Sequence, residues 1–229
     1  MPSANWLANL PRQRLLAEYS MWSADLIALG DDLARIEPHA DILHVDVADG
    51  HFAPALLFFP DLVARMRQAT DKPIHVHLMV ADAVLSSQIE QFADAGADLI
   101  SIHVENALVA DAALAQIAAR GLAAGMVARI ETPVAAVAPY LGRLDFLTLL
   151  GTAIGVKGQG LDPSAGDRLR AAGKLIAASG RRIVLAADGG IRDTTVPLLR
   201  EAGAETVVMG SLAFGAPDLA ARMAWLHAL

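Results

Sequence analysis

The sequence predicts one closed (β/α)8 barrel. Short apolar runs alternate eight times with longer helical patterns, which implies a parallel sheet with helical crossovers. Eight such units within 229 residues match a single barrel. No linker, low-complexity tract or shift of composition marks a second domain. The alternative is an open doubly wound sheet. A dinucleotide-binding version would carry Gly-x-Gly-x-x-Gly after its first strand, and the segment after Met21 has none.

Taken in order, residues 1–13 are polar and proline-punctuated, and are expected to form an N-terminal extension; 14–229 form the barrel. Strands are expected at 15–21, 42–47, 74–79, 99–103, 123–128, 146–150, 183–187 and 206–209. Helices are expected at 24–36, 60–69, 84–95, 109–120, 134–140, 164–179, 195–202 and 217–228, rich in alanine on their exposed faces. Two of them end on Ala-Gly-Ala, where glycine supplies a left-handed turn (95–97 and 202–204). The site of a barrel lies at the C-terminal ends of its strands. The first strand offers Ser20 and Ser23 there. The second offers His44, Asp46 and Asp49, the third His75 and His77, the fourth His103 and Glu105, and the fifth Arg129. The sixth opens a glycine-rich loop, GTAIGVKGQG (151–160), the seventh leads to Asp188-Gly189-Gly190 and the eighth to Gly210-Ser211.

Composition excludes several classes. Hydrophobic residues make up 55%, yet the longest stretch free of Asp, Glu, Lys and Arg runs only from Thr206 to Pro217, too short to span a bilayer as a helix. No charged segment, apolar core and cleavage site open the chain, so no signal peptide is expected, and a cytoplasmic location fits. There is no cysteine, which excludes disulfides, thiolate ligands and cysteine nucleophiles. The net charge is −7, with no basic stripe, so neither nucleic acid nor membrane is an expected partner. A small anion remains compatible, because backbone amides bind phosphate without lysine.

The stretch HVDVADGHF (44–52) organises the site. Polar and apolar residues alternate with the period of a strand, so His44 and Asp46 share one face. An imidazole and a carboxylate side by side form half of a metal site. His77 and Asp188, from two other strand ends, supply the rest. Two imidazoles and two carboxylates suit one divalent transition-metal ion, Zn, Fe, Mn or Co, better than Ca or Mg. A lone strand-end histidine is more often a hydrogen-bonded packing residue, and His39, His51 and His227 are assigned to structure or surface. Four ligand-type residues at three converging strand ends favour the metal. Asp46 and Asp188 would flank it, placed to remove a proton from one face of a bound ketose and return it to the other. Asp188-Gly189-Gly190-Ile191 and Met209-Gly210-Ser211-Leu212 follow strands seven and eight, the recurrent phosphate position of barrels, although each is also an ordinary tight turn. No nucleophile-elbow triad is visible, and Lys157 is the one candidate for Schiff-base chemistry, more simply read as contacting an anion or solvent.

These residues resemble the ribulose-phosphate 3-epimerase family, metal-dependent barrels of the ribulose-phosphate-binding type. The resemblance runs from about Leu16 to Phe214. It is carried by SMWSADLIALG (20–30), HVDVADGHFAP (44–54), HVHLMV (75–80), ISIHVE (100–105), Thr132-Pro133, Gly158-Gln159, DGGI (188–191) and AGAETVVMGSLAF (202–214). It implies that His44, Asp46, His77 and Asp188 are metal ligands and that Asp46 and Asp188 are the acid/base pair. It also implies that Ser20, Met79, Gly158, Gln159, Gly189, Gly190, Gly210 and Ser211 lie on the substrate. The reaction implied is inversion of carbon 3 of D-ribulose 5-phosphate to D-xylulose 5-phosphate. The partners expected are a small phosphorylated sugar and further copies of the chain in a homo-oligomer.

The departures from the family pattern cluster on the substrate side. Ala48 and Leu150 stand where the family has methionine. Ala55-Leu56-Leu57-Phe58-Phe59 and Ala128-Arg129-Ile130 replace family runs. The strand-six loop GTAIGVKGQ (151–159) lacks the family's proline and phenylalanine and carries Lys157 for glycine. A roomier or reshaped pocket is expected, with Arg129 and Lys157 as substrate contacts. A different ketose phosphate, such as a hexulose 6-phosphate or tetrulose phosphate, is the alternative. A barrel that binds sugar phosphate without catalysis is a further one. The related lysine-dependent decarboxylase type would want Asp-x-Lys on strand two, where this chain has Asp46-Val47-Ala48.

Overall fold

Eight parallel strands close on themselves in chain order, the last pairing with the first: β1 (Leu16–Ser20), β2 (Ile42–Ala48), β3 (Ile74–Met79), β4 (Leu99–His103), β5 (Ala123–Ala128), β6 (Phe146–Leu150), β7 (Val184–Asp188) and β8 (Thr206–Met209). The structure is a computed structural model that describes every residue except Met1 and Ala4. Helices α1 (Leu29–Ile36), α2 (Pro60–Ala69), α3 (Asp82–Asp94), α4 (Ala110–Ala119), α5 (Ala165–Ser179), α6 (Val196–Glu201), α7 (Ser211–Phe214) and α8 (Leu219–His227) surround the sheet. The expected (β/α)8 barrel is therefore the fold.

Local departures from the expected elements have local causes. The helix expected at 134–140 is a 3-10 segment, Val134–Arg143. Pro139 sits inside it, without an N–H to donate and with a ring that clashes with the preceding turn of an α-helix. The helix expected from residue 24 starts at Leu29. Ahead of it the Asp25 carboxylate accepts from Ile27 N–H at 2.9 Å and the Asp32 carboxylate from Asp25 N–H at 2.7 Å, side-chain bonds that compete with the helical ladder. The seventh strand runs one residue later than expected, so that Asp188 is its last residue. The short α7 was not expected.

Alternate strand residues face the helices and the barrel axis. The outward set, including Tyr19, Leu43, Val45, Val76, Ile100, Leu147 and Val207, packs with the helices into one apolar sheath. The inward set is split along the axis. At the N-terminal end, Leu16, Ile42, Leu99, Phe146, Val184 and Ala186 form a separate apolar cluster. Trp6, Leu7 and Leu10 pack against it, so the segment expected as an extension lies against this end of the barrel. Met1 and Ala4 of that segment lie outside the described residues. Further along the axis the interior turns polar: Glu18, His75, Ser101 and Thr148 are all completely buried. Barrel interiors are usually filled by branched apolar residues, so this layer asks for an explanation.

Gly125 shows how tightly the polar layer is packed. A Cβ at this position would stand 1.9 Å from Ser101 Oγ and 3.0 Å from Ser101 Cβ. Gly125→Ala is therefore expected to cost about 1–3 kcal/mol by overpacking. In urea unfolding, the double variant with Ser101→Ala should lose less than the sum of the two single variants, since the first clash is with the hydroxyl.

Candidate active site

The C-terminal strand ends enclose a cavity of about 330 Å³. Its floor is made by Ser20, Asp46, His77, Met79 and Asp188. The rest is built by Trp22 and Ser23 from the first loop, the loop after β6, Gly189 to Arg192 after β7, and Gly210-Ser211 after β8. Leu150 and Val208 add apolar surface.

Four donors meet here, three of them lining the cavity and His44 buried behind them. One ligand atom from each of His44, Asp46, His77 and Asp188 lies within 4.8 Å of the other three. His44 and Asp46 are neighbours on one face of β2, and the sheet register sets Asp46 directly opposite His77 on β3. Asp46 Oδ1 lies 3.1 Å from His44 Nε2 and 3.3 Å from His77 Nδ1, while its Oδ2 accepts from Ser20 Oγ–H at 2.9 Å. Metal–ligand bonds of about 2.0–2.2 Å imply ligand–ligand edges of about 3.0–3.5 Å. The two spacings fall in that range, and the mixed nitrogen and oxygen donors suit a divalent transition metal. The donor set therefore fits the ion expected from the sequence.

The two carboxyls are not equivalent. Burial opposes ionisation of Asp46, but the His44 and His77 imidazoles outweigh it and hold its carboxyl far below the usual range. Asp188 faces the cavity at the end of β7. Enclosure by protein, reinforced by the Asp46 charge and opposed by His44, pushes it up to about 6. In the metal-free protein His44 goes the other way: burial would lower it, yet Asp46 and Glu18 hold it well above its ordinary value.

The glycine loops are built for close approach. Gly189 and Gly190 have φ of +88° and +70°. A Cβ would stand 2.3 Å from Thr152 Oγ1 in the first and 2.7 Å from the backbone Cα of Leu161 in the second. Both positions thus require glycine, and they lock the β7 loop against the β6 loop. A Cβ on Gly210 would meet Ser23 Oγ at 2.5 Å, so the first and last loops touch as well.

The residues expected on the substrate are not all brought to it in the same way. Ser20, Met79, Lys157, Gly158, Gln159, Gly189, Gly190, Gly210 and Ser211 line the cavity. Ser20 gives its hydroxyl proton to Asp46. Gln159 braces its own loop, donating to Ala153 O and Val156 O at 3.1 and 3.0 Å. Lys157 ties that loop to the first one: Nζ donates to Trp22 O at 2.5 Å and lies 4.6 Å from the centre of the Trp22 ring. Arg129 does not line the cavity. Its guanidinium stacks 4.0 Å over Phe52 and donates to Phe52 O at 2.8 Å, so it reaches the site only through Phe52. Ala48 forms a small cluster with Ala53 and Met79, and Ile154 and Phe52 pack against it. The space conceded by the small Ala48 is thus partly taken up by the β6 loop.

Sequence reasoning passed over Arg192 and Thr152, which line the cavity, and Glu18, which lies beneath it. Glu18 left a signal: it stands two residues before Ser20 on an otherwise apolar strand, and so shares its inward face.

The model of the ribulose-phosphate 3 epimerase family matches residues 16–214. A ribulose-phosphate 3-epimerase of Bacillus subtilis is 34% identical over 201 residues, covering 87% of this chain and 92% of that one. Ribulose-phosphate 3-epimerase 2 of Cupriavidus necator is 37% identical over 204 residues, with 87% and 84% covered. Among solved structures, a 3-hexulose-6-phosphate synthase superposes with a TM-score of 0.67 at 19% identity, covering 93% of this chain and 99% of that one, a likeness of fold.

The protonation pattern predicts the pH dependence of metal binding. An ion on this floor displaces the Nε2 proton of His44 and needs Asp188 ionised. Above about pH 6 Asp188 has already lost its proton; below that it must release one, and affinity falls further. Calorimetric titration of metal-free protein in buffers of different ionisation enthalpy should show more protons released per ion near pH 5 than near pH 7.5. Proton release that does not change across pH 6 would contradict the assignment of Asp188 as a ligand.

Proposed function

The chain belongs to the ribulose-phosphate 3-epimerase family, which makes it an isomerase-class enzyme, and we propose that it inverts carbon 3 of a ketose phosphate by proton transfer between Asp46 and Asp188. D-Ribulose 5-phosphate, interconverted with D-xylulose 5-phosphate, is the substrate that the names of its relatives support. The observation that carries the reading is the meeting of His44, Asp46, His77 and Asp188 at the base of a sugar-sized cavity that the last three line.

Asp46, held as an ionised carboxylate, is suited to remove the carbon-3 proton from one face. Asp188, which lines the cavity from the end of β7, is suited to deliver one to the other. The roles exchange when the reaction runs backwards. A divalent ion held by His44, Asp46, His77 and Asp188 would supply positive charge to the enediolate oxygens of the substrate. Ser20 keeps Asp46 oriented by occupying its other oxygen. The backbone N–H groups of Gly189, Gly190, Gly210 and Ser211 are assigned to the phosphate, where glycine permits close approach. Lys157 is assigned to the same end, and Met79, Leu150, Gly158 and Gln159 to the walls around the sugar. Among the described residues no helix is long and apolar enough to cross a membrane. A phosphorylated sugar substrate suits the cytoplasm. Exposed Leu56, Phe59 and Leu108, on loops at the C-terminal face, favour self-association of the chain.

Two measurements test this. The metal-loaded protein incubated with D-ribulose 5-phosphate in D₂O should place deuterium at carbon 3 and yield D-xylulose 5-phosphate. Label that enters a hexulose or tetrulose phosphate but not the pentulose would move the substrate to that sugar. No label in any ketose phosphate would leave the non-catalytic reading. Lys157→Ala should raise KM about tenfold with kcat little changed, as expected for loss of one charged contact made equally to substrate and transition state. An unchanged KM would reduce Lys157 to its bond with Trp22.

A further inference from the structure

Resting on the metal reading above, we propose that Glu18 and Glu105 are positioning residues for the metal. Each fixes the tautomer and orientation of one ligand imidazole, Glu18 directly on His44 and Glu105 through His103 on His77.

The argument follows the ring nitrogens. An imidazole nitrogen that binds a metal carries no proton, so the proton must sit on the other nitrogen. In His44 the nitrogen facing Asp46 is Nε2, and Nδ1 lies 2.7 Å from Glu18 Oε1. A carboxylate only accepts, so Glu18 holds the proton on Nδ1 and leaves the Nε2 lone pair for the metal. In His77 the roles are reversed: Nδ1 faces Asp46, and Nε2 lies 2.8 Å from Nε2 of His103. Only one proton fits between those two nitrogens. If His77 binds through Nδ1, its Nε2–H donates to His103. His103 must then carry its own proton on Nδ1, which lies 2.9 Å from Glu105 Oε2. Glu105 therefore decides the direction of the His103–His77 bond two rings away.

Both acids are themselves fixed. Glu18 also accepts from Nδ1–H of His75, whose Nε2 accepts from Ser101 Oγ–H at 2.7 Å. Glu105 Oε1 accepts from Arg129 N–H at 3.0 Å and from the Thr132 hydroxyl. Each ring nitrogen in the two chains has a partner that accommodates the tautomer the metal reading requires. Neither acid lines the cavity, so neither touches substrate.

A purely structural role explains Glu18 poorly. It is completely buried, and its Oε2 has no hydrogen-bond partner among the described residues. An ionised carboxylate in a barrel core, half satisfied, is a worse packing group than the apolar residues that usually fill such layers. The cluster of Glu18, His44 and His75 is also a poor second metal centre. Its contacts are at hydrogen-bond spacing, and an ion there would need Nδ1 of His44 deprotonated while Nε2 already serves the first site. A carboxylate behind a ligand histidine instead raises its basicity and fixes its aim.

Titration of metal-free protein with Co²⁺ against a competing chelator tests the proposal, read by the visible absorption of the bound ion. Glu18→Gln and Glu105→Gln should each weaken Co²⁺ binding about 10–100-fold and alter the absorption envelope, while the melting temperature of the metal-free protein does not fall in parallel. Glu90→Gln, at a surface acid paired with Arg120, should change neither reading. Wild-type affinity and spectrum in both variants would overturn the proposal. If Glu18→Gln does not fold, Glu105→Gln, in a loop and only half-buried, decides it alone. A wild-type protein that binds no Co²⁺ would remove the metal reading and this inference together. A wild-type protein that binds while both variants match it would remove the inference alone.

Discussion

One carboxylate oxygen, Asp46 Oδ1, shares its surroundings with an imidazole nitrogen from its own strand and one from the next. The contact with His44 follows from strand alternation, and the contact with His77 from the pairing of β2 with β3. A slip of one residue would turn every inward side chain outward, so the apolar sheath that fixes the register also fixes the site. Val45 and Val47 on one side of β2, with Val76 and Leu78 on β3, belong to that sheath. The chemistry on the inner face thus depends on hydrophobic burial on the outer one.

That arrangement places unusual demands on the interior. Seven polar or charged side chains along the axis, Glu18, His44, His75, His77, Ser101, His103 and Thr148, are at most 1% exposed. Most satisfy one another in sequence, which is the condition under which buried polar groups are tolerated. The exceptions are Glu18 Oε2 and Thr148 Oγ1. Stability must then come from elsewhere: the helix-facing sheath, and the apolar cluster at the far end of the barrel against which Trp6, Leu7 and Leu10 pack. The separation is spatial, with chemistry at one end of the axis and apolar packing at the other.

The sequence was legible wherever one periodicity decided the matter. Five of the eight strands, β3, β4, β5, β6 and β8, begin and end where apolar runs predict, and the barrel follows from their alternation with helices. His44, Asp46, His77 and Asp188 could be proposed together because each stands at a strand end, which the fold brings to one place. What remained hidden needed information beyond spacing. Pro139 turns a helical pattern into a 3-10 segment by a local clash. Trp6, Leu7 and Leu10 form too short a pattern to register as periodic, and only the cluster they touch reveals what they do. Glu18 is a single acid on an apolar strand. Its meaning depends on two histidines from other strands, so no local pattern carries it.

The same reasoning separates reaction from substrate. The groups proposed to react stand on strands, whose geometry the sheet dictates, whereas much of the cavity wall is loop. The loop after β6 is held by contacts that no alternation encodes: Lys157 on the Trp22 carbonyl and ring, Gln159 on its own backbone, and Ile154 against the cluster of Ala48, Ala53 and Met79. The small Ala48 does not itself line the cavity, and Ile154 from this loop packs against its cluster. Nor does a cation in the sequence define a substrate contact: Arg129 is engaged by Phe52, while Lys157 lines the cavity. The shape of the cavity depends on how these loops close on each other. The glycines at 189, 190 and 210 allow those loops to touch and so help to set that shape.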